Sequence, residues 1–162
     1  IFFKSIFVLE KLDFTLPSRL ESEYVGEDGR KYPPVLIHRA ILGSFERFLG
    51  ILIENYSGKL PLWLAPKQLA ILTVTDEAIS FAEELKSIFI KEGIRVSLDI
   101  RNEKIGYKIR EHSNAKTQLM AIIGKKEVEE EKISIRNLLD SKTETLSVKD
   151  ALNKLKELVA IP

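Results

Sequence analysis

The sequence contains no cysteine, and its charges almost cancel. The missing cysteines exclude disulfides and thiolate metal ligands, and their absence is typical of a reducing compartment. We therefore expect a cytoplasmic protein. Zinc sites need at least three protein ligands. The two histidines, His38 and His112, lie in different regions of the chain, so nothing within it offers a complete zinc shell.

Neither a large net charge nor a long hydrophobic run is present. Lysine and arginine number 25 against 24 aspartates and glutamates, so any attraction to nucleic acid must come from a local basic patch. The opening IFFKSIFVLEKLDF is broken by Lys4 and Glu10, which makes it too short and too charged to span a membrane. It also lacks a signal-peptide cleavage site. Because the chain begins with Ile1, we expect a fragment or processed product whose first residues form a strand or helix of a larger body.

The remaining composition is that of a soluble globular protein with one ordinary domain or two small ones. Hydrophobic residues make up 44% of the 162 positions and charged residues 30%. The segment SGKLPLWLAPKQ places Gly58, Pro61 and Pro66 close together, and proline supplies no backbone donor and disfavours helix before it. We therefore expect a boundary that separates residues 1–64 from residues 65–162.

The second region alternates short apolar runs with amphipathic segments, which predicts an α/β fold. QLAILTV and QLMAIIG are typical of buried strands, and IRVSLDI and KISIRN alternate as half-exposed strands do. Ser147 and Asp150 form a capping-box-like pair before the last helix. We expect a mixed, mostly parallel sheet flanked by helices. The predicted strands are 68–74, 94–100, 118–123 and 133–137, and the predicted helices are 76–92, 104–113 and 148–160.

The segment HRAILGSFERFLG carries polar and small residues inside an otherwise apolar helical pattern. On a helix, Gly43, Arg47, Gly50 and Glu54 fall on one face, with Ser44 beside them. The glycines could open that face to a phosphate or a flat ligand held by the Arg47 guanidinium. They could equally allow close helix packing, with Arg47 paired to a buried carboxylate. His38 could ligate a metal, act in catalysis or be a hydrogen-bonded core residue.

The segment RNEKIGYKIREHSNAK predicts a basic amphipathic helix. Lys104, Lys108 and His112 share one helical face, and Tyr107 could stack on an unpaired base. Clustered cations of this kind neutralise phosphates. Acidic residues within the segment dilute the charge, so the pattern alone slightly favours a solvated helix face over an RNA site. The basic residues are Arg101, Lys104, Lys108, Arg110 and Lys116.

Several of these segments together resemble one family. DFTLPSRL, YVGED and IHRAILGSFERF closely resemble the third signature motif, and the approach to it, of class II threonyl-tRNA synthetases. RNEKIGYKIREH resembles the anticodon-binding domain of the same enzymes. The resemblance runs from Leu12 to near the C-terminus. It implies that residues 1–64 are an incomplete piece of the antiparallel class II catalytic domain, with a strand or two and a long helix at 39–56. Residues 65–162 would be the anticodon-binding domain.

The resemblance implies catalytic-domain roles for four residues. His38 matches a ligand of the active-site Zn²⁺ that selects threonine through its amino and hydroxyl groups. Arg47 matches the catalytic arginine that contacts ATP, which is bound with Mg²⁺, and Gly43 and Ser44 match residues of the adenylate pocket. Metal-assisted selection is reasonable because apolar pockets discriminate poorly between isosteres such as threonine and valine.

The resemblance also implies an anticodon-binding set for threonine tRNA: Asn102, Lys104, Lys116, Glu127 and Arg136. Amide, carboxylate and guanidinium groups offer complementary donors and acceptors to base edges. Lys116 departs from the family, which usually has arginine there; lysine keeps the charge but loses the planar fork.

The sequence departs from the family in larger ways as well. FVLEK replaces a GTIQ-like strand, and the first and second class II motifs, the other zinc ligands and the editing domain are absent from this sequence. We therefore expect the isolated chain to be inactive as a threonine–tRNA ligase. The alternatives are a free-standing anticodon-binding module and an inactive remnant. The full enzyme should be a homodimer. Residues 1–56 should expose apolar surface, so we expect the isolated chain to self-associate.

Overall fold

A computed structural model describes residues 9–140 and 142–161. The chain divides into two compact units, Ile1–Asn55 and Tyr56–Pro162, and each is described by itself. The prediction of a strand or helix for residues 1–8 lies outside the described residues. No helix in the described part is long and apolar enough to cross a membrane.

The first unit is built from short antiparallel strands and two helices. Strand β1 (Leu9–Asp13) pairs with β4 (Leu36–Ala40). Between them lie helix α1 (Leu16–Arg19) and the antiparallel pair β2 (Tyr24–Val25) and β3 (Lys31–Tyr32). Helix α2 (Phe45–Asn55) follows. The Asp13 carboxylate accepts from the Thr15 and Leu16 amides, at 3.0 and 2.9 Å, and these bonds lower the pKa of Asp13.

The predicted long helix at 39–56 is wrong at its beginning. Residues 39 and 40 belong to strand β4, and helix α2 begins only at Phe45. Gly43 lies between them with a φ of +64°, a left-handed conformation that does not continue a right-handed helix. Gly43 therefore lies outside the helical face that was expected to carry it with Arg47.

Most apolar side chains of the first unit are exposed, as expected. Among residues 11–55, Pro17 alone is buried. The expected exposure of apolar surface is therefore confirmed for the described residues. A folded domain normally covers such surface. The large apolar side chains that are more than half exposed are Leu12, Phe14, Leu20, Tyr24, Val25, Ile37, Ile41, Phe45 and Ile53.

The second unit contains a five-stranded mixed sheet with the order β6-β5-β7-β8-β9. Strands β5, β6 and β7 are parallel, and β8 alone runs against its neighbours, so the predicted mixed, mostly parallel sheet is confirmed. The first four strands agree with the predicted segments. The fifth strand, β9, was not predicted. The strands are β5 (Leu69–Thr73), β6 (Val96–Asp99), β7 (Leu119–Ile123), β8 (Lys132–Asn137) and β9 (Thr143–Ser147).

Helices cover the two faces of this sheet unequally. Helices α3 (Ile79–Lys91), which follows a 3-10 turn at Asp76–Ala78, and α6 (Val148–Val159) pack on the first face, over the larger apolar core. Helix α4 (Ile105–Asn114) packs on the second face, over a smaller cluster. The smaller cluster contains Ala70, Leu72, Met120, Ile105, Ile109 and Leu138. A short helix, α5 (Lys125–Glu130), was not predicted.

The second face changes character at β8 and β9. Met120 of β7 lies opposite Arg136 of β8, and Arg136 lies opposite Thr143 of β9. Side chains directly opposite each other project from the same face, so a row of polar side chains continues the face that α4 covers at its other end. Ser134 and Thr145 form the neighbouring pair of this row.

The segment before the sheet belongs to the second unit. The Arg95 guanidinium donates to the main-chain oxygens of Ala65 and Trp63, at 3.0 and 2.7 Å. The Gln68 amide donates to the oxygen of Leu62 at 3.0 Å. These bonds fix residues 62–65 on the amino ends of β5 and β6. The structural division therefore falls after Asn55, nine residues before the boundary expected from the proline pattern.

Candidate nucleic-acid interface

A buried carboxylate organises the carboxyl end of β6. Asp99 is the last residue of that strand, and its oxygens accept from Arg101 Nε at 2.9 Å and from Arg101 Nη2 at 2.6 Å. His112 Nε2 of α4 lies 3.1 Å from the same carboxylate. The hydrogen bonds from Arg101, and then that from His112, hold the pKa of Asp99 well below its usual range. In turn, Asp99 and Glu111 raise the pKa of the Arg101 guanidinium.

Lys108 is buried beneath this carboxylate rather than exposed to solvent. Its ammonium donates to the main-chain oxygens of Thr73 and Asp99, at 2.9 and 3.2 Å, which joins the carboxyl ends of β5 and β6. The interpretation of Lys104, Lys108 and His112 as one exposed face that could bind phosphates is therefore wrong. Lys108 is 1% exposed and His112 contacts Asp99, because this side of α4 faces the sheet.

Asn102 and Lys104 lie in the loop that the contacts of Asp99, Arg101 and Lys108 hold in place. The loop joins the carboxyl end of β6 to the first turn of α4, and both side chains are exposed. Within it, the Glu103 amide donates to the Arg101 oxygen at 2.9 Å. In open sheets with parallel strands, ligands bind beyond the carboxyl ends of the strands. Asp99 and Lys108 thus stabilise a loop whose exposed amide and ammonium groups lie at the usual ligand-binding edge.

Glu127 lies beyond the carboxyl end of the neighbouring strand β7. The Gly124 amide donates to its Oε2 at 3.0 Å, and the Ser134 hydroxyl donates to its Oε1 at 2.9 Å. Ser134 in turn lies 3.0 Å from the Thr145 hydroxyl of β9. The Glu127 carboxylate is therefore held in one orientation by a helix-start amide and by the polar row of the second face.

Arg136 and Lys116 lie toward the other end of this face. Arg136 is partly exposed between Met120 and Thr143, and no hydrogen bond or ion pair holds its guanidinium to another described residue. Lys116 follows α4 with a φ of +59°, at a helix end where the Thr117 amide donates back to the His112 oxygen at 3.0 Å. A lysine in the left-handed position of such a motif is unusual, because glycine is preferred there.

The structure brings two of the five predicted anticodon-binding residues, Glu127 and Arg136, to one surface. We name it the polar face; it consists of Ser134, Arg136, Thr143 and Thr145 with Glu127 at its edge. The loop with Asn102 and Lys104 precedes α4, and the loop with Lys116 follows it. The partners Asp99, Ser134 and Thr145 were missed. Ser134 and Arg136 occupy alternate positions of KISIRN, which was the available signal for a shared face.

The residues of the first unit that the family resemblance assigns to a catalytic site, His38, Gly43, Ser44 and Arg47, are exposed. His38 lies in the middle of β4, opposite Lys11. No cluster of three histidine, aspartate or glutamate side chains that could hold a metal occurs among residues 9–140 and 142–161, so the described donor set does not by itself hold zinc. The Ser44 hydroxyl donates to Glu46 at 2.7 Å, and Arg47 is exposed in the first turn of α2.

A family model that covers more than half of the chain defines the class of protein. The family model described as "Anticodon binding domain" matches residues 68–158, and the chain belongs to that family, whose members include class II aminoacyl-tRNA synthetases.

Within that class, the chain is similar to threonine–tRNA ligases. It is 51% identical over 149 residues to the threonine–tRNA ligase of Wolbachia pipientis subsp. Culex pipiens, covering 92% of this chain and 24% of that protein. It is 53% identical over 146 residues to the enzyme of Caulobacter vibrioides, covering 90% of this chain and 22% of that protein. The chain thus spans about a quarter of the length of these curated relatives.

A solved structure extends the likeness to the fold. The RNA binding domain of threonyl-tRNA synthetase from Cryptosporidium parvum Iowa II superimposes with a TM-score of 0.77 at 32% identity. The match covers 92% of this chain and 38% of that chain.

Proposed function

We propose that this chain is the C-terminal part of a threonine–tRNA ligase and that its second unit binds the anticodon of threonine tRNA. The observation that carries the proposal is the polar face, a row of hydrogen-bonding side chains that continues the α4-covered face of the sheet. RNA recognition requires such groups at positions where unpaired bases can approach. The similarity to threonine–tRNA ligases supports threonine tRNA as the particular partner.

The side chains of this region suit different parts of an RNA loop. The Asn102 amide offers paired donor and acceptor atoms, the Glu127 carboxylate accepts from base amino groups, and the Arg136 guanidinium donates to carbonyl edges. Lys104 and Lys116 are exposed cations suited to phosphates. The free guanidinium of Arg136 and the pre-oriented carboxylate of Glu127 make these two residues the main base-recognition groups of the proposal.

The first unit contributes residues to the catalytic domain of the full enzyme. Gly43, Ser44 and Arg47 would contact ATP and its Mg²⁺ complex, and His38 would supply one zinc ligand whose partners lie elsewhere in the full enzyme. Zinc would select threonine there by coordinating its amino and hydroxyl groups. The chain by itself should lack ligase activity. Threonine-dependent exchange of pyrophosphate into ATP by the isolated chain would contradict this part of the proposal.

Substitution of Arg136 by alanine tests the RNA-binding part. We expect Arg136→Ala to weaken binding to threonine tRNA by about tenfold or more, since a base-contacting arginine contributes about 1–3 kcal/mol. Binding to an unrelated tRNA should change much less. Arg110→Ala is the matched control, because Arg110 is an exposed arginine of α4 outside the polar face. Equal losses on both tRNAs would make Arg136 a phosphate contact only.

A further inference from the structure

Thr145 ends a chain of hydrogen bonds that begins at a main-chain amide. The Gly124 amide donates to Glu127 Oε2 at 3.0 Å, and Ser134 Oγ lies 2.9 Å from Glu127 Oε1. Ser134 Oγ also lies 3.0 Å from Thr145 Oγ1. Ser134 is buried, whereas Thr145 is exposed on β9. Thr145 is therefore the more exposed of the two hydroxyl-bearing residues in this network.

Hydrogen-bonding chemistry fixes the direction of this chain. An ionised carboxylate only accepts hydrogen bonds, so the single hydroxyl proton of Ser134 points to Glu127. The Ser134 oxygen can then only accept from Thr145, and the Thr145 proton points inward to Ser134. The Thr145 oxygen then keeps lone pairs that accept no hydrogen bond within this network. Thr145 and Glu127 thus present acceptors, and no donor, to whatever lies against them.

The two acceptors share an open depression of about 250 Å³. Two of the other side chains in its wall, Lys132 and Glu130, form an ion pair at 2.8 Å. Glu130 is thus paired with a lysine, whereas Glu127 and Thr145 are the acceptors in this wall that hydrogen bonds to Ser134 hold in place. The wall consists of Lys126, Glu127, Glu130, Lys132 and Thr145.

We infer that Thr145 is a further specificity-determining residue of the RNA-binding surface, acting beside Glu127 to select a nucleobase edge that presents N–H donors. Guanine alone among the four RNA bases offers two adjacent donors, its imino and amino groups, on one edge. A base that placed an acceptor against Thr145 would leave two lone-pair groups facing each other without a proton between them, which is costly in a desolvated contact. Ser134 is the positioning residue that orients both acceptors. This inference rests on the proposed function.

The test combines three variants of the chain with two kinds of change in the RNA. Thr145→Val removes the hydroxyl at nearly constant shape, and Thr145→Ser restores it. Thr15→Val is the control substitution, since Thr15 is an exposed threonine of the first unit that lies outside both the polar face and the hydrogen-bond chain. The ligands are anticodon stem-loops of threonine tRNA in which each loop guanosine is replaced in turn by inosine, which lacks the amino group. A parallel set carries 2′-deoxyribose at each loop position.

At one loop position, inosine should weaken binding to the wild-type chain by about tenfold, the loss of about 1.4 kcal/mol. Thr145→Val should bind both RNAs alike, while Thr145→Ser and Thr15→Val should keep the tenfold difference. An unchanged inosine penalty in Thr145→Val would overturn the inference. A penalty that follows the 2′-deoxy substitution instead would also overturn it, because the donor would then be a ribose hydroxyl.

These outcomes remain separable from the proposed function. If the chain binds the stem-loop and Arg136→Ala weakens that binding selectively, a null result for Thr145→Val removes only the present inference. If the wild-type chain binds no stem-loop, both the inference and the proposed function fail. Thermal unfolding of each variant verifies that the exposed substitutions leave the fold intact.

Discussion

Replacement of Asp99 by asparagine should strongly destabilise the second unit. The change keeps the shape of the side chain but removes the charge that accepts from Arg101, at 2.9 and 2.6 Å, and from His112, at 3.1 Å. It also leaves the buried Lys108 ammonium, 4.0 Å away, without a counter-charge. Removing one partner of a buried ion pair costs about 3–5 kcal/mol. The Arg101 side chain is 48% exposed and regains water, so we expect a loss near the lower limit, about 3 kcal/mol.

Urea unfolding monitored by tryptophan fluorescence measures this loss. The single tryptophan, Trp63, belongs to the second unit and therefore reports on the part of the chain that contains Asp99. Glu130→Gln is the matched control, because it removes an exposed ion pair with Lys132 and should cost less than about 1 kcal/mol. If Asp99→Asn costs no more than Glu130→Gln, the buried cluster does not stabilise this edge of the sheet and the reasoning is refuted.

Three further predictions concern the titration of Asp99, the backbone of Lys116 and the apolar surface of the first unit. Hydrogen bonds from Arg101 and His112 lower the pKa of Asp99, so its stabilising contribution is complete above about pH 5 and is lost as the pH falls toward the lowered pKa. Below about pH 5, the free energy of unfolding should therefore fall more steeply with pH for the wild type than for Asp99→Asn. Parallel curves for the two proteins would show that Asp99 does not contribute to the acid sensitivity. Lys116→Gly should raise the free energy of unfolding by up to about 1 kcal/mol, because glycine accepts a positive φ without strain. The same change should weaken RNA binding and flatten its salt dependence, and a variant that gains stability with unchanged RNA binding would remove Lys116 from the site. The exposed apolar side chains of the first unit should make the chain self-associate, and a monomer across concentrations in analytical ultracentrifugation would contradict this.

The core elements of the second unit were predictable because their patterns are simple. The continuous apolar run at β5 and β7 leaves little alternative to buried strands. Strand β9 and helix α5 were missed because TETLS has a single large apolar residue and KKEVEE is short and highly charged. In both cases pairing and packing with neighbouring elements determine the conformation, and a local pattern does not contain that information.

The surroundings of the candidate binding residues were harder to predict than the fold. Spacing put Lys108 on the same helical face as Lys104 and His112, but it could not tell which face turns toward the sheet. The structure resolves this point, since the ends of β5 and β6 offer Lys108 two main-chain oxygens. Likewise, the sequence carried no sign that Glu127, Ser134 and Thr145 would form one hydrogen-bond chain, because residues far apart in β8 and β9 must pair first.

The chain's ability to discriminate between anticodon loops tests the account most directly. Equilibrium binding of the wild-type chain should be compared for the anticodon stem-loop of threonine tRNA and for a stem-loop of the same stem with an unrelated anticodon, at several salt concentrations. The account predicts tighter binding to the threonine stem-loop at every salt concentration, since base contacts add to the shared phosphate contacts. Equal affinities for the two RNAs, or no measurable binding to either, would contradict it.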